Sequence, residues 1–416
     1  MRWPTLLLSA ALALAVTGAP AHADTPQPAV VSADPVDWTP HVLDGTVRAI
    51  ARVGTVIVVG GDFRTVQDAR TGRVRRQPYL FAFDARTGAL LPFRPRLDGP
   101  VLALAAGPAG TVLAGGSFRH VGWEPRRGLA QLRLTSGRAV PAFRATIDSG
   151  DVRTLIEHRG EVYVGGTFTA IGGWRRTGLA RVLATTGAVD QDFELDLSAR
   201  ELNRVKVEDL ALSPDGRRLV AVGAITRVAG QVRAQLAMIN TGVRPARVAP
   251  WFTNAYARAC RAGFDTYLRG VDFSPDGTYF VVVSTGRLGG ADRMCDTAAR
   301  FDTAGTGEHR PTWVNHTGGD SLYTVSVTGP AVYVGGHQRW MNNSHGYEAP
   351  GRGAVSRPGI AALHPRTGAA LPWNPTRSRG VGVRAMLATP DGLILGSDTD
   401  RLGNEYHARL GMFPLL

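Results

Sequence analysis

Lysine is nearly missing from this 416-residue chain: of 47 basic residues only Lys206 is a lysine, and the rest are arginine. Cysteine is almost as scarce, with Cys260 and Cys295 alone. That number excludes a disulfide-dense scaffold, and no metal-ligand spacing surrounds either residue. Past the N-terminus no apolar run is long enough for a membrane helix. No sustained i, i+3, i+4 apolar pattern occurs either, which excludes a helical bundle. The sequence has no HExxH, no G-x-S-x-G elbow, no Walker loop and no Rossmann fingerprint, so the enzymes that depend on them are excluded. No basic run is interleaved with aromatic residues, and a nucleic-acid partner is not expected.

The first residues read as a signal peptide. Arg2 supplies a minimal positive charge, Leu6–Val16 is a short apolar run, and Ala21-His22-Ala23 fits a small-x-small cleavage site. Residues 1–23 would be removed, leaving a secreted chain, 24–416, with no transmembrane segment. In an oxidising compartment Cys260 and Cys295 are expected to pair, and closing a loop of about 35 residues contributes roughly 3–4 kcal/mol. The net charge of +13 draws polyanions, although arginine bias also follows from codon usage. Outside the cell the expected partners are a glycan, a cell-wall polymer or a protein.

Glycine is abundant, at 51 residues, and it falls in a pattern. "TVIVVGGDF" begins at Thr55, "TVLAGGSF" at Thr111, "EVYVGGTF" at Glu161 and "AVYVGGHQ" at Ala331. A recurrence of roughly fifty to sixty residues marks a repeat architecture. Aligned on this strand the chain shows seven units, with first strands starting near Val47, Val101, Val152, Val207, Leu268, Leu322 and Val383. A third apolar strand follows in every unit, and a fourth ending near an aromatic in each but the last. Four short antiparallel strands per unit predict an all-β fold, a seven-bladed β-propeller forming one domain. The seventh unit stops after its third strand. "DWTP" at Asp37–Pro40 mimics "PWNP" at Pro372–Pro375, so residues 34–45 are expected to complete the last blade and close the ring. A linear solenoid would instead need polar caps at both ends. Phe63, Phe118 and Phe168, after the glycines, are expected to pack between blades.

The stretches "VYVGGTFTAIGG" and "GLARVLATTGAVDQDF" resemble the delta-60-type repeat, a β-propeller family of unassigned function in exported bacterial proteins. The resemblance spans about Val47–Leu416 and is strongest in units one to three. It implies the fold and an address outside the membrane, and it transfers no catalytic residue.

Connections after the first and third strands are uniformly short, while the long loops follow the second and fourth strands and share one face. Candidate ligand-binding residues on that face are His316, Asp320, His337, Arg339, Trp340, Asn342, Asn343, His345, Asp398, Asp400 and Arg401. Aromatic, amide and guanidinium groups together suit sugars and carboxylates. A second constellation follows the first apolar residue of each inner strand. Arg48, Arg153, Glu208, Arg269, Tyr323 and Arg384 are expected to ring the mouth of the central channel. The function read from these features is a secreted, non-catalytic, monomeric binding module without cofactor or metal. The alternative is a carbohydrate-active hydrolase or lyase using loop-face carboxylates and His337 or His345, which would need two carboxyl groups about 5–10 Å apart.

Overall fold

The computed structural model describes residues 25–200, 202, 204–261, 264, 266–288 and 290–415. The expected signal peptide, 1–23, lies outside them. The described chain is all-β apart from one short 3-10 turn at Pro108–Gly110. No described helix is long and apolar enough to cross a membrane.

Among the described residues seven larger antiparallel sheets of three or four strands follow one another along the chain, accompanied by smaller sheets of two- and three-residue strands. Their first strands are Val47–Val53, Val101–Gly107, Val152–His158, Lys206–Leu212, Leu268–Phe273, Leu322–Val327 and Ala385–Thr389. Each pairs with a second strand, such as Val56–Gly61 or Glu161–Gly166, which then pairs with a third, such as Leu80–Asp84 or Leu179–Leu183. Second strands are buried on both faces and accordingly read as unbroken apolar runs. Among the described residues a full fourth strand is present in units four and five, at Arg247–Val248 and Trp313–His316. In units one, two, three and six it shrinks to a single bridge, for example Phe83 with Leu90 and Val182 with Val189. Pro92, Pro141 and Pro372 follow three of these bridges, where the missing N–H cannot extend a ladder. The aromatic that ends each segment is buried regardless (Phe93, Phe143, Phe193, Trp251, Trp313, Trp373), so side-chain burial holds the segment where hydrogen bonds do not.

The apolar clusters lie between neighbouring sheets. Phe168 joins units two and three, and Phe118 joins units one and two. One cluster gathers Val47, Ile50 and Phe63 of unit one with Leu387, Ile394 and Met412 of unit seven. Beside the last strand, Ser32 N–H donates to the Pro414 carbonyl at 2.8 Å and Val36 N–H to that of Met412 at 2.9 Å.

The paired glycines now have separate reasons. A Cβ on the first would meet the opening valine of the next unit: Gly60 faces Val101 at 2.6 Å, Gly115 faces Val152 at 2.5 Å, and Gly396 faces Val47 at 2.4 Å. A Cβ on the second would strike the carbonyl just before its own inner strand, at 2.0 Å for Gly61 with Thr46 and 2.0 Å for Gly166 with Asp151. The first glycine therefore lets sheets approach, and the second lets strands cross over closely.

Candidate functional site

In six units the pairing of first and second strands slips by one residue at its start. Val47 pairs with Gly61 and Ala49 with Gly60, and the same shift recurs at Val101/Ala103, Val152/Thr154, Val207/Asp209, Leu268/Gly270 and Leu322/Thr324. The skipped residues are Arg48, Leu102, Arg153, Glu208, Arg269 and Tyr323. A β-bulge re-aims the side chain it leaves unpaired. All six, with Arg384, line one cavity of about 250 Å³ bounded by the inner strands of all seven units. The structure thus brings the predicted channel residues together.

Their charges are unevenly partnered. Glu208 receives Arg153 at 3.0 Å, Arg269 at 3.1 Å and Lys206 at 2.8 Å. Burial opposes the charge on Glu208, but these three cations outweigh it and hold the carboxyl below its usual range. Arg48 pairs with Asp62 at 2.8 Å. Arg384 lies over the Tyr323 ring, 3.6 Å from its centroid, and has no carboxylate at ion-pair distance among the described residues. Burial, with Arg48 and Arg269 nearby, lowers its pKa. An electropositive centre is therefore left in this cavity.

Two further acids lining this cavity, Asp209 and Asp272, join neighbouring units. Asp209 accepts from Thr154 Oγ1 at 3.0 Å, Leu210 N–H at 2.9 Å and Val271 N–H at 3.0 Å, bridging three consecutive units. Asp272 likewise accepts from Val327 N–H of the following unit at 2.7 Å.

Next to this cavity, and sharing Arg269, Tyr323 and Arg384 with it, opens a second of about 590 Å³. Asp320, His337 and Arg339 line it, as do Arg287, Glu348 and Arg379. Asp320 is buried and takes a two-point contact from Arg339, at 2.8 and 3.1 Å, and a further bond from Arg379 at 3.3 Å. Arg379 also donates to His337 Nε2 at 2.9 Å, and His337 Nδ1 lies 2.9 Å from the Gly380 carbonyl. A guanidinium only donates, so Nε2 accepts and the ring carries its proton on Nδ1. Buried Arg377 steadies this segment by donating to the carbonyls of Gly336 and Arg379. Arg287 pairs with Glu348 at 3.1 Å. Five arginines thus face two carboxylates across the cavity.

The remaining predicted loop residues do not line it. Asn342 accepts from Asn315 and from Ala370 N–H, and Asn343 binds Ala349 and Gly351 of its own loop and Thr317 of the loop before unit six. His316 is buried in its strand, and that burial lowers its pKa. Asp398 accepts from Val381 and Gly382 N–H. Trp340 is half-buried beneath the Arg339 guanidinium, 4.4 Å from it. His345, Asp400 and Arg401 are exposed elsewhere on the rim.

Sequence reasoning missed Arg287 and Arg379, whose signal was only an arginine in a glycine-containing loop. It also missed the regularity of the rim. Small hairpins follow the second strand in six units, such as His120–Val121 with Glu124–Pro125 and Ala170–Ile171 with Trp174–Arg175. In units one to four and seven the segment leading into the inner strand pairs with this hairpin, as His41–Val42 does with Val66–Gln67. Unit five has no such hairpin among the described residues. There the Cys260–Cys295 disulfide, Cα–Cα 5.8 Å, joins the same two segments. Gly286 makes room for it, since a Cβ would lie 2.8–3.0 Å from the cystine atoms.

Beneath the cavity Asp296 is buried beside Asp320. It accepts from Leu288 N–H at 2.9 Å, while its other oxygen has no partner. Burial, with the charge of Asp320 adding to it, pushes its carboxyl up to about 7. The folded pKa lies above the unfolded value of about 3.9. The folded state therefore holds a proton that the unfolded state has lost. This contribution to stability is complete below about pH 4 and disappears as pH rises through 7. Asp296→Asn should therefore gain stability over the parent at pH 8, with the gain shrinking towards pH 5. Urea midpoints at both values check this, and a gain equal at the two would refute the titration of Asp296.

Residues 160–193 match the model of a family described as a β-propeller domain of unknown function, DUF5122. The match encloses all of "EVYVGGTFTAIGG" and of "GLARVLATTGAVDQDF". No curated protein matches the chain. Among solved structures it is similar to the crystal structure of the RRP9 WD40 repeats, with a TM-score of 0.57 at 10% identity, covering 92% of this chain and 100% of that one. It is also similar to the structure of U3-55K, with a TM-score of 0.54 at 11% identity over 92% and 100% of the two chains. At such identities the likeness is one of fold.

Proposed function

Because this chain is a β-propeller repeat protein with a DUF5122-type repeat at 160–193, we propose that its seven sheets are the blades of one closed ring whose loop face binds an anionic extracellular polysaccharide without altering it. The apolar cluster shared by units seven and one supports closure, as do the hydrogen bonds from Ser32 and Val36 to the last strand. In this reading residues 34–45 complete the last blade, and a 1–23 signal peptide directs the chain outside the cell, where the disulfide is stable.

The observation that carries the binding reading is Arg384. Its guanidinium sits at the junction of two cavities, stacked on Tyr323 and unpaired by any described carboxylate. A carboxylate or sulfate on a polymer would supply the missing charge, with Arg379, Arg339 and His337 lining the approach. Both acids of the larger cavity are already engaged by arginine. A glycosidase needs two carboxyl groups free to reach the scissile bond, and neither of these can do so without breaking an arginine pair. The arrangement thus supports binding over hydrolysis.

The test is retention of the mature chain on polygalacturonate and on neutral dextran at 50 and 200 mM NaCl, with product analysis. Salt-sensitive binding of intact polygalacturonate, and none of dextran, is expected. Shortened polymer would establish the enzymatic alternative, and equal binding of both polymers would remove the anion argument.

A further inference from the structure

At the seam between the chain's two ends, we propose a site for a divalent first-row transition cation of the zinc type, held by Asp37, Glu405 and His407. Asp37 belongs to the N-terminal segment, next to Val36, whose N–H donates to Met412 of the last strand. Glu405 opens the second strand of the unit-seven hairpin, Arg401–Leu402 with Glu405–Tyr406, and His407 follows it directly. One donor atom from each of Asp37, Glu405 and His407 lies within 4.8 Å of the others.

The donor set has a definite chemical character. One imidazole nitrogen with two carboxylate oxygens is the borderline set that suits zinc and its neighbours, and three protein ligands leave a fourth position for water. Magnesium and calcium prefer six or more oxygens. The His407 side chain is 2% exposed, with Nε2 at 3.3 Å from Glu405 Oε2, whereas the Glu405 side chain is 46% exposed. A fixed imidazole thus faces mobile carboxylates, and rotation of exposed Asp37 and Glu405 can close the set to the separations of about 3.3 Å that metal–ligand bonds near 2.0 Å require.

A second observation sets this corner apart. The Nδ1 atoms of His407 and of neighbouring His41 are both buried without a hydrogen-bond partner, and the two rings stand 6.2 Å apart. Buried polar atoms are ordinarily satisfied, and a metal-bound imidazole ordinarily orients through its other nitrogen. Water or a small rotation of His41 on metal binding would satisfy both. The consequence is a latch, because a cation here ties the N-terminal segment to the last unit without depending on the anion-binding face.

The mature chain, stripped with chelator, should bind Zn²⁺ with one-to-one stoichiometry by calorimetry. Bound Co²⁺ should show visible d–d absorption. At a hundredfold excess over Kd, Zn²⁺ should raise Tm by about 3 °C, whereas Mg²⁺ and Ca²⁺ should not. Asp37→Asn and Glu405→Gln alter exposed side chains and should fold normally, each weakening Zn²⁺ at least tenfold. His407→Ala should abolish binding. If Zn²⁺ does not bind, or binds the Asp37 and Glu405 variants as tightly as the parent, the cluster is an ion pair and the proposal falls.

Discussion

Glu208→Gln should lower the stability of the chain by about 3 kcal/mol and at the same time tighten its hold on anionic polymer. Glu208 is the one carboxylate that Arg153, Arg269 and Lys206 share, and its side chain is 10% exposed. Removing its charge leaves the partly buried Arg153 and Arg269 without a carboxylate at ion-pair distance among the described residues, and breaking buried pairs of this kind costs roughly 3–5 kcal/mol. The lower end applies because Arg153 keeps 30% of its side-chain surface in water. The same change raises the positive potential at the mouth, where the polymer's charge would relieve it. Denaturation in urea and polygalacturonate affinity, measured on one preparation, check the two signs. A variant that loses stability and affinity together would make Glu208 a structural residue remote from binding.

Arg384→Glu is expected to do the reverse, with at least a tenfold loss of polygalacturonate affinity and little loss of stability. Hydrogen bonds to charged groups contribute about 1.5–3 kcal/mol, which corresponds to roughly ten- to a hundredfold in affinity. Reversing the charge adds repulsion. Since burial with Arg48 and Arg269 already disfavours the positive charge of Arg384, a carboxylate there meets two cations and the fold should tolerate it. Salt dependence sharpens the measurement, because the slope of affinity against salt should flatten in the variant. Arg138→Glu, in the short turn after a third strand on the opposite rim, controls for net charge. If both substitutions weaken binding equally, attraction is diffuse and the channel mouth is not the site.

The largest gap between sequence and structure lies in the loops. Membership of a long loop was legible, but the direction of each side chain was not. Asn343 and Asn342 looked like ligand-facing amides, yet their hydrogen-bonding groups are occupied by the neighbouring backbone and by Asn315. Most of these partners sit on segments packed alongside, at Asn315, Thr317 and Ala370, so the way each amide turns is set by how neighbouring segments meet. His337 and Arg339 do reach the cavity, because they follow the second strand directly and inherit its fixed direction.

The order of apolar and glycine residues in the sequence by itself determined the strands, their repeat and the position, one past the first apolar residue, of each channel residue. Those features are local: a strand's alternation, a tight crossing and a one-residue register slip depend on neighbours within one unit. Tertiary structure decided which charges meet. Arg153 and Arg269 reach Glu208 from positions 55 and 61 residues away, and Arg379 reaches Asp320 from 59 residues away. It also left Arg384 without a carboxylate at ion-pair distance among the described residues. Pairing across units depends on how sheets are set side by side around the channel, and no pattern within one repeat encodes that placement.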